Sequence, residues 1–529
     1  MKDAYVRVPS SWSLNITNTI TVEAWMKPQA QPPTLDIVDL EEKFGYTPYV
    51  IPTTGDCYAV VSEDQAKRGT LQTVRIDSLG NISYLNATTF GNAKTSIALR
   101  PIVTQVSETM YLIAYNSRID NSNNLYMHLR TYNISMSGSI EYTGNELAFQ
   151  DYSTSTPNRP SLLKITDTLF VIAYWVPGYG GILKSLTISS NGKFNASSIK
   201  LLRYDDASGY DPCLITVAKG VFALAYRGGS NHGIMKTFNI TIAGDISYTG
   251  KQIEFESGSG FEPCLTRVTG QIFAVAYRNI DNDGCIKTFN ISSSGSFVWT
   301  GNRLIFEDTV PCFDPCIILA DKDVYVIAYS TGNSGITTGY ILTLKLEKTG
   351  AISSLYNLRR EFKIAGRDRC YNPVILHIEE QLFAISFTGP TDHPGELITI
   401  NIELDTYPPH RGISKRDSYG IYANTSTVVA SINNIMVSAT IPTGWHHFAV
   451  TYDGTNITLF VHDTAGNLLA SASQPYPNHQ INTTSADLTF GRNYYGFIDE
   501  IAVYDQALTE PQVKAHATSP GVFTWLMFH

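Results

Sequence analysis

The chain has 529 residues and a formal net charge of −9, and charged side chains make up only 16% of it, against about 25% in ordinary globular domains. A mildly acidic chain without a basic stripe speaks against nucleic acid as a partner. No apolar run is long enough to span a bilayer, so direct membrane insertion is not expected.

Three short stretches come first: Tyr5-Val-Arg-Val-Pro9, Ser13-Leu-Asn-Ile-Thr17 and Ile20-Thr-Val-Glu-Ala-Trp-Met-Lys-Pro28. So little chain precedes them that no secretion signal is expected, and the sequence reads as a fragment of a larger protein with Met1 added. Pro28, Pro32 and Pro33 then stiffen the connection to the next segment.

A pattern of roughly 50 residues then runs through the chain seven times. Each copy begins at a proline: Pro48, Pro101, Pro160, Pro212, Pro263, Pro315 and Pro373. Fourteen residues on, an apolar strand ends, at Ser62, Tyr115, Tyr174, Tyr226, Tyr277, Tyr329 and Phe387. A further strand follows, then a turn at Gly80, Gly138, Gly192, Gly244, Gly295 or Gly350. Four short strands at this period are the signature of a β-propeller blade. The seventh copy stops after its third strand, near Leu404. Leu35-Asp-Ile-Val-Asp-Leu40 precedes the first proline by nearly the same distance as Leu304-Ile-Phe-Glu-Asp308 precedes Pro315. Residues near 34–44 are therefore expected to supply the missing outer strand and to close the ring, removing an exposed edge.

The residue before each proline should line the central channel. These are Thr47, Arg100, Arg159, Asp211, Glu262, Asp314 and Asn372. Three consecutive acids would face two arginines across the ring, as a salt-bridged plug or as a site for a hard cation near Asp211, Glu262 and Asp314. Two polar loops stand at equivalent places in neighbouring repeats, Arg227 to Gly233 with Asn231 and His232, and Arg278 to Gly284 with Asp281 and Asp283. They are candidate binding loops, or plain solvated hairpins. Seven cysteines leave at least one thiol unpaired within the chain. Cys213, Cys264 and Cys316 share one repeat position beside the axis, where small apolar packing explains them. Cys312 and Cys370 share another, where a disulfide is the alternative. Ten Asn-x-Ser/Thr sequons fit a surface glycoprotein, although four of them also read as ordinary β alternation.

After Pro408 and Pro409 come Gly412-Ile-Ser-Lys415, Tyr419-Gly-Ile-Tyr422, Gly444-Trp-His-His-Phe-Ala-Val-Thr-Tyr-Asp-Gly454 and Gly496-Phe-Ile-Asp-Glu-Ile-Ala-Val-Tyr504, followed by Ala507-Leu-Thr-Glu510. With the three N-terminal stretches, these resemble the strands and short closing helix of a laminin-G-like, concanavalin-A-like jelly roll. The expected fold is thus all-β: a seven-bladed β-propeller inserted into a jelly-roll sandwich. The sandwich would take residues 1–30 and 410–518 and the propeller 31–409, with an apolar tail at 519–529. The resemblance implies a structural calcium, with Asp3 before the first strand and Asp499 in the closing strand as ligands if those strands are neighbours. The alternative is that such an acid only caps backbone donors.

The same resemblance implies an extracellular or cell-surface binding or adhesion module recognising glycans or surface proteins, part of a larger parent protein. A structural coat protein is a second reading. Catalysis has weaker support. No sialidase-type Ser-x-Asp-x-Gly-x-Thr-Trp box occurs. The ring acids occupy successive repeat positions, which argues for architecture over a glycosidase pair. A lyase-like set of Tyr226, Arg227, His232 and Arg278 contains a tyrosine that recurs in five repeats, so it reads as packing.

Overall fold

In the computed structural model, residues 6–8, 16–28, 36–39, 45–91, 97–118, 124–154, 159–333, 336–354, 360–362, 369–379, 381–389, 395–402, 412–415, 419–423, 427–433, 435–442, 444–481, 488–490 and 496–518 are described. The chain divides into two compact units. One combines Met1–Pro32 with Asp405–His529; the other is the uninterrupted stretch Pro33–Leu404.

The second unit is a closed ring of seven antiparallel sheets. Their innermost strands are Tyr46–Pro52, Leu99–Gln105, Ser161–Lys164, Tyr210–Ala218, Phe261–Thr269, Cys312–Asp321 and Tyr371–Glu379, and each lies against the next, the last against the first. We number the blades one to seven in that order. The outer strand of blade seven is Asp36–Asp39, paired antiparallel with Glu396–Thr399. The ring is therefore closed by an N-terminal strand.

Two repeated contacts weld neighbouring blades. The first is aromatic. Phe90, Phe149, Tyr204, Phe255, Phe306 and Phe362 pack on Tyr115, Tyr174, Tyr226, Tyr277, Tyr329 and Phe387 of the following blade, with centroids 5.0 to 6.4 Å apart. The recurring tyrosine is thus a packing residue. Where blade seven meets blade one, Ser62 takes its place, and the backbones of Gly45 and Gly395 pass too closely to admit a Cβ. The second contact is a hydroxyl latch. Thr73, Thr131, Ser185, Thr237, Thr288 and Thr399 donate to the carbonyls of Gly138, Gly192, Gly244, Gly295, Gly350 and Gly80. Those glycines have φ between 81° and 88°, which explains the repeated Gly turn. Thr343 holds the same place in blade six, and its buried hydroxyl has no hydrogen-bond partner among the described residues. The next blade is the one whose outer strand comes from the N-terminus. All seven cysteines are free thiols.

The first unit is a sandwich of a six-stranded and a five-stranded sheet. Its core joins Val22, Ile421, Ala430, Val450, Leu459 and Val461. The closing helix spans Glu510–Ala517 and so begins where the sequence-expected helix ends. Thr509 caps it, its N–H donating to Gln512 Oε1 at 2.8 Å, and Pro511 sits in the first turn, where its missing N–H costs nothing. Val6–Val8 pairs with Leu488–Phe490 in the larger sheet, whereas Gly496–Tyr504 pairs with Ile20–Pro28 in the smaller one. The first and closing strands therefore lie in different sheets and are not paired with one another. Asp3 lies outside the described residues, as does the tail, and Asp499 stands opposite Trp25.

Candidate functional site at the start of the inner strands

Six of the seven pre-proline residues share an uncommon backbone. Thr47, Arg100, Asp211, Glu262, Asp314 and Asn372 have φ between 49° and 53°. A proline disfavours the right-handed helical region in the residue before it, and each of these strands carries a bulge at this point. A non-glycine residue in the left-handed region costs on the order of 1 kcal/mol or more. The cost is offset by hydrogen bonds from the turned amides. The N–H of Arg100 donates to Glu63 Oε1 at 2.8 Å, that of Asp314 to Glu262 Oε2 at 2.9 Å and that of Asn372 to Asp314 Oδ2 at 3.2 Å. The N–H of Thr47 donates to Thr388 Oγ1 at 2.8 Å. Side chains of one blade thus hold the backbone of the next.

The ion pairs differ from those the sequence suggested. Asp211 and Glu262 are held by Arg227 and Arg278 of their own blades, at 3.3 and 2.9 Å, and not by Arg100 or Arg159 across the ring. Antiparallel register explains this. Arg227 and Arg278 end their second strands opposite Tyr210 and Phe261, one residue before the acids. Arg159 instead donates through Nη2 to the carbonyl of Thr47 at 3.2 Å and lies 5.9 Å over the ring of Tyr49. Burial pushes the Asp211 carboxyl upward against the pull of Arg227. Burial, reinforced by Glu262, pushes that of Asp314 up to about 7.

The same arginines build a ladder of planar groups. The ring centroids of Trp175 and Tyr210 lie 3.9 Å apart. The guanidinium carbon of Arg227 lies 4.2 Å from the centroid of Tyr210 and 4.9 Å from that of Phe261. That of Arg278 lies 4.2 Å from Phe261 and 5.1 Å from Phe313. From Tyr210 to Phe313 aromatic and cationic faces alternate across three blades, and this stretch of the ladder is partly exposed.

The candidate loops serve this ladder. Asn231 Oδ1 accepts from Arg227 Nη1 at 3.2 Å, and Asn282 Oδ1 accepts from Arg278 Nη1 at 2.9 Å. His232 faces Glu254 at 2.9 Å. Asp281 and Asp283 lie in a turn closed by Asn279, whose Oδ1 accepts both their N–H groups. Among the described residues no group of three His, Cys, Asp or Glu side chains has the geometry to hold a metal ion. Sequence reasoning missed Glu63, Trp175 and the aromatic rungs. Strand register was the signal needed, and residue spacing alone does not give it.

The sandwich holds a second titratable cluster. Glu23 is only 2% exposed. It accepts from His516 Nδ1 of the closing helix at 2.7 Å and from the Tyr504 hydroxyl at 3.2 Å, and His447 Nε2 lies 3.8 Å away. His462 Nε2 faces Glu510 at 3.2 Å. Burial and the neighbouring His462 and His516 push His447 down to about 3, and burial raises the Glu23 carboxyl.

Fold and site together define a protein of two β architectures, a seven-bladed propeller and a sandwich, with a charged, aromatic-lined rim on the propeller. Residues 408–514 match the Concanavalin A-like lectin/glucanases superfamily, in its Laminin_G_3 family. No curated protein matches the chain. Among solved structures it is similar to the periplasmic gluconolactonase PpgL of Pseudomonas aeruginosa, at 9% identity and a TM-score of 0.43, covering 73% of this chain and 97% of that one. It is also similar to Sqt1 of Chaetomium thermophilum, at 10% identity and a TM-score of 0.38, covering 71% and 100%. An arginine-to-alanine triple mutant of AofleA from Arthrobotrys oligospora follows at 9% and 0.36, covering 62% and 90%.

Proposed function

We propose that this chain is a binding module of the extracellular space or cell surface, which holds a glycan or a surface protein at the rim of its propeller without transforming it. The observation that carries this reading is the ladder from Trp175 to Phe313. Tyr and Arg, which stand here in partly exposed, braced positions, are among the residue types that dominate binding energy at interfaces. The left-handed backbone and the Asn231 and Asn282 braces fix them in advance, which lowers the entropy lost on binding. The tethering of the ring acids supports binding over chemistry. Asp211 and Glu262 are neutralised by guanidinium groups, and Asp314 accepts a backbone N–H, whereas glycoside cleavage needs one carboxyl poised as acid and another as base or nucleophile. The match of 408–514 to a lectin-containing superfamily agrees with a carbohydrate-related role.

The test is an array of glycans and surface proteins, probed with the parent chain and with Arg278→Ala. Selective binding that falls at least tenfold in the variant is expected. Silence on the array together with self-assembly would favour a coat protein instead, and turnover of a polysaccharide would make the chain an enzyme.

A further inference from the structure

Three successive blades open on the same dipeptide, an aromatic followed by an acid: Tyr210-Asp211, Phe261-Glu262 and Phe313-Asp314. The register sets one residue of the second strand opposite each aromatic, and it reads Arg227, Arg278 and then Ser330. In blades four and five that arginine lies between its own aromatic and that of the next blade, and it pairs with its own acid. Blade six keeps the aromatic, the acid and, in Tyr371, the aromatic at the same position of the next blade. It replaces the arginine by a serine that is 0% exposed.

We propose that this rung takes its guanidinium from outside: the side chain of an arginine on a protein that docks at the propeller rim. The inference rests on the rim being the binding face and names the chemistry of its partner. Blade six presents the aromatic and the carboxylate that hold a guanidinium twice over in the blades before it. The groups that face Asp314 leave its charge undercompensated. Burial first and Glu262 second raise its carboxyl more than Arg159, the Asn372 N–H and Arg100 lower it, the thiols of Cys312 and Cys370 lie nearby, and the net position is near 7. An incoming cation relieves this. A guanidinium suits the rung better than an ammonium, because its plane stacks on an aromatic ring while its edge meets a carboxylate. A metal ion suits it poorly, since hard cations need six or more oxygens. One stacked, paired guanidinium gives weak binding on its own, so its carrier must add contacts along the remaining rungs, as a protein surface does.

The experiment titrates the full chain with a short blocked peptide carrying one arginine and with the same peptide carrying citrulline, followed by NMR. Saturable binding of the arginine peptide in the roughly millimolar range is expected, with the citrulline peptide at least tenfold weaker. Asp314→Asn and Phe313→Ala should each weaken the arginine peptide to a similar degree. Ser330→Arg should abolish its binding by completing the rung from within. If that variant fails to fold, the other two decide. Equal binding of the two peptides, unchanged binding by Asp314→Asn, or no saturable binding of the arginine peptide would overturn the proposal. The array with Arg278→Ala separates the two readings. An array response that survives Arg278→Ala while the peptide still needs Asp314 removes the general rim reading alone, and the reverse pattern removes the rung alone.

Discussion

Of the three ring acids, Asp314 is the one with no ion pair to a guanidinium of its own blade among the described residues, and its titration should be visible in the stability of the ring. Its carboxyl is pushed up to about 7 by burial and by Glu262, whereas an unfolded aspartate titrates near 3.9. Between those values the folded state holds the extra proton, so the contribution of this group to stability falls as pH rises from about 4 to about 7. Asp314→Asn keeps an acceptor for the Asn372 N–H and removes the charge. The variant is expected to be more stable than the parent at pH 8, by on the order of 1–2 kcal/mol, and equal to it at pH 4. Urea unfolding at both values checks this, and a difference of opposite sign at pH 8 would refute it. At this scale the sequence was half legible. Seven prolines aligned the ring positions and gave Asp211, Glu262 and Asp314 together. The partners of those acids end a different strand, and only the pairing of Tyr210 with Arg227 and of Phe261 with Arg278 reveals them.

Among elements, the hydroxyl latches make a comparison within one molecule. Thr237 donates to the carbonyl of Gly295 at 2.9 Å, and Thr343, at the same repeat position, has a buried hydroxyl with no partner among the described residues. A made hydrogen bond contributes about 1 kcal/mol, and a buried unmade one is a cost. Thr237→Val should therefore destabilise the chain by about 1 kcal/mol, and Thr343→Val should be neutral or stabilising. Equal losses in thermal melts would show that the latch does not hold the blades. In the sandwich, His447 stays neutral, pushed down to about 3 in the folded state, while an unfolded histidine titrates near 6.5. The unfolded chain then binds the extra proton, so stability from this group is lost as pH falls below about 6.5. The raised Glu23 carboxyl works in the opposite direction, so the parent alone does not isolate the effect. The difference between His447→Gln and the parent does: the variant should lose less stability between pH 6.5 and pH 4 as followed by circular dichroism. The Trp-His-His-Phe stretch was legible as a central strand. Its His447 faces Glu23, 424 residues earlier in sequence, beyond the reach of local pattern.

For the whole molecule, repetition carried the fold. Proline, tyrosine and glycine recur because each meets the same neighbour in the next blade, and a missing fourth strand at the end of the repeat pointed to Asp36–Asp39. The departures from the repeat, Ser62 and Thr343, mark the two sides of the blade that this strand completes. Deleting residues 36–39 should leave blade seven with an open edge. The expected result is a loss of the cooperative propeller transition in calorimetry, with aggregation on warming. Melting like that of the intact chain would mean that the ring stands without its closing strand.

That strand also sets an order in time. Asp36–Asp39 is among the first parts of the ring to be synthesised, yet its partner, Glu396–Thr399, emerges some 357 residues later. At cellular synthesis rates the early strand waits roughly 20–70 s for it. Through that interval six blades can form, one after another, while the four residues needed to finish the seventh stay unpaired ahead of them on the nascent chain. Completion of the ring is then a single late event on the growing polypeptide, and a chain interrupted before residue 396 would carry six blades with no means of joining the last to the first.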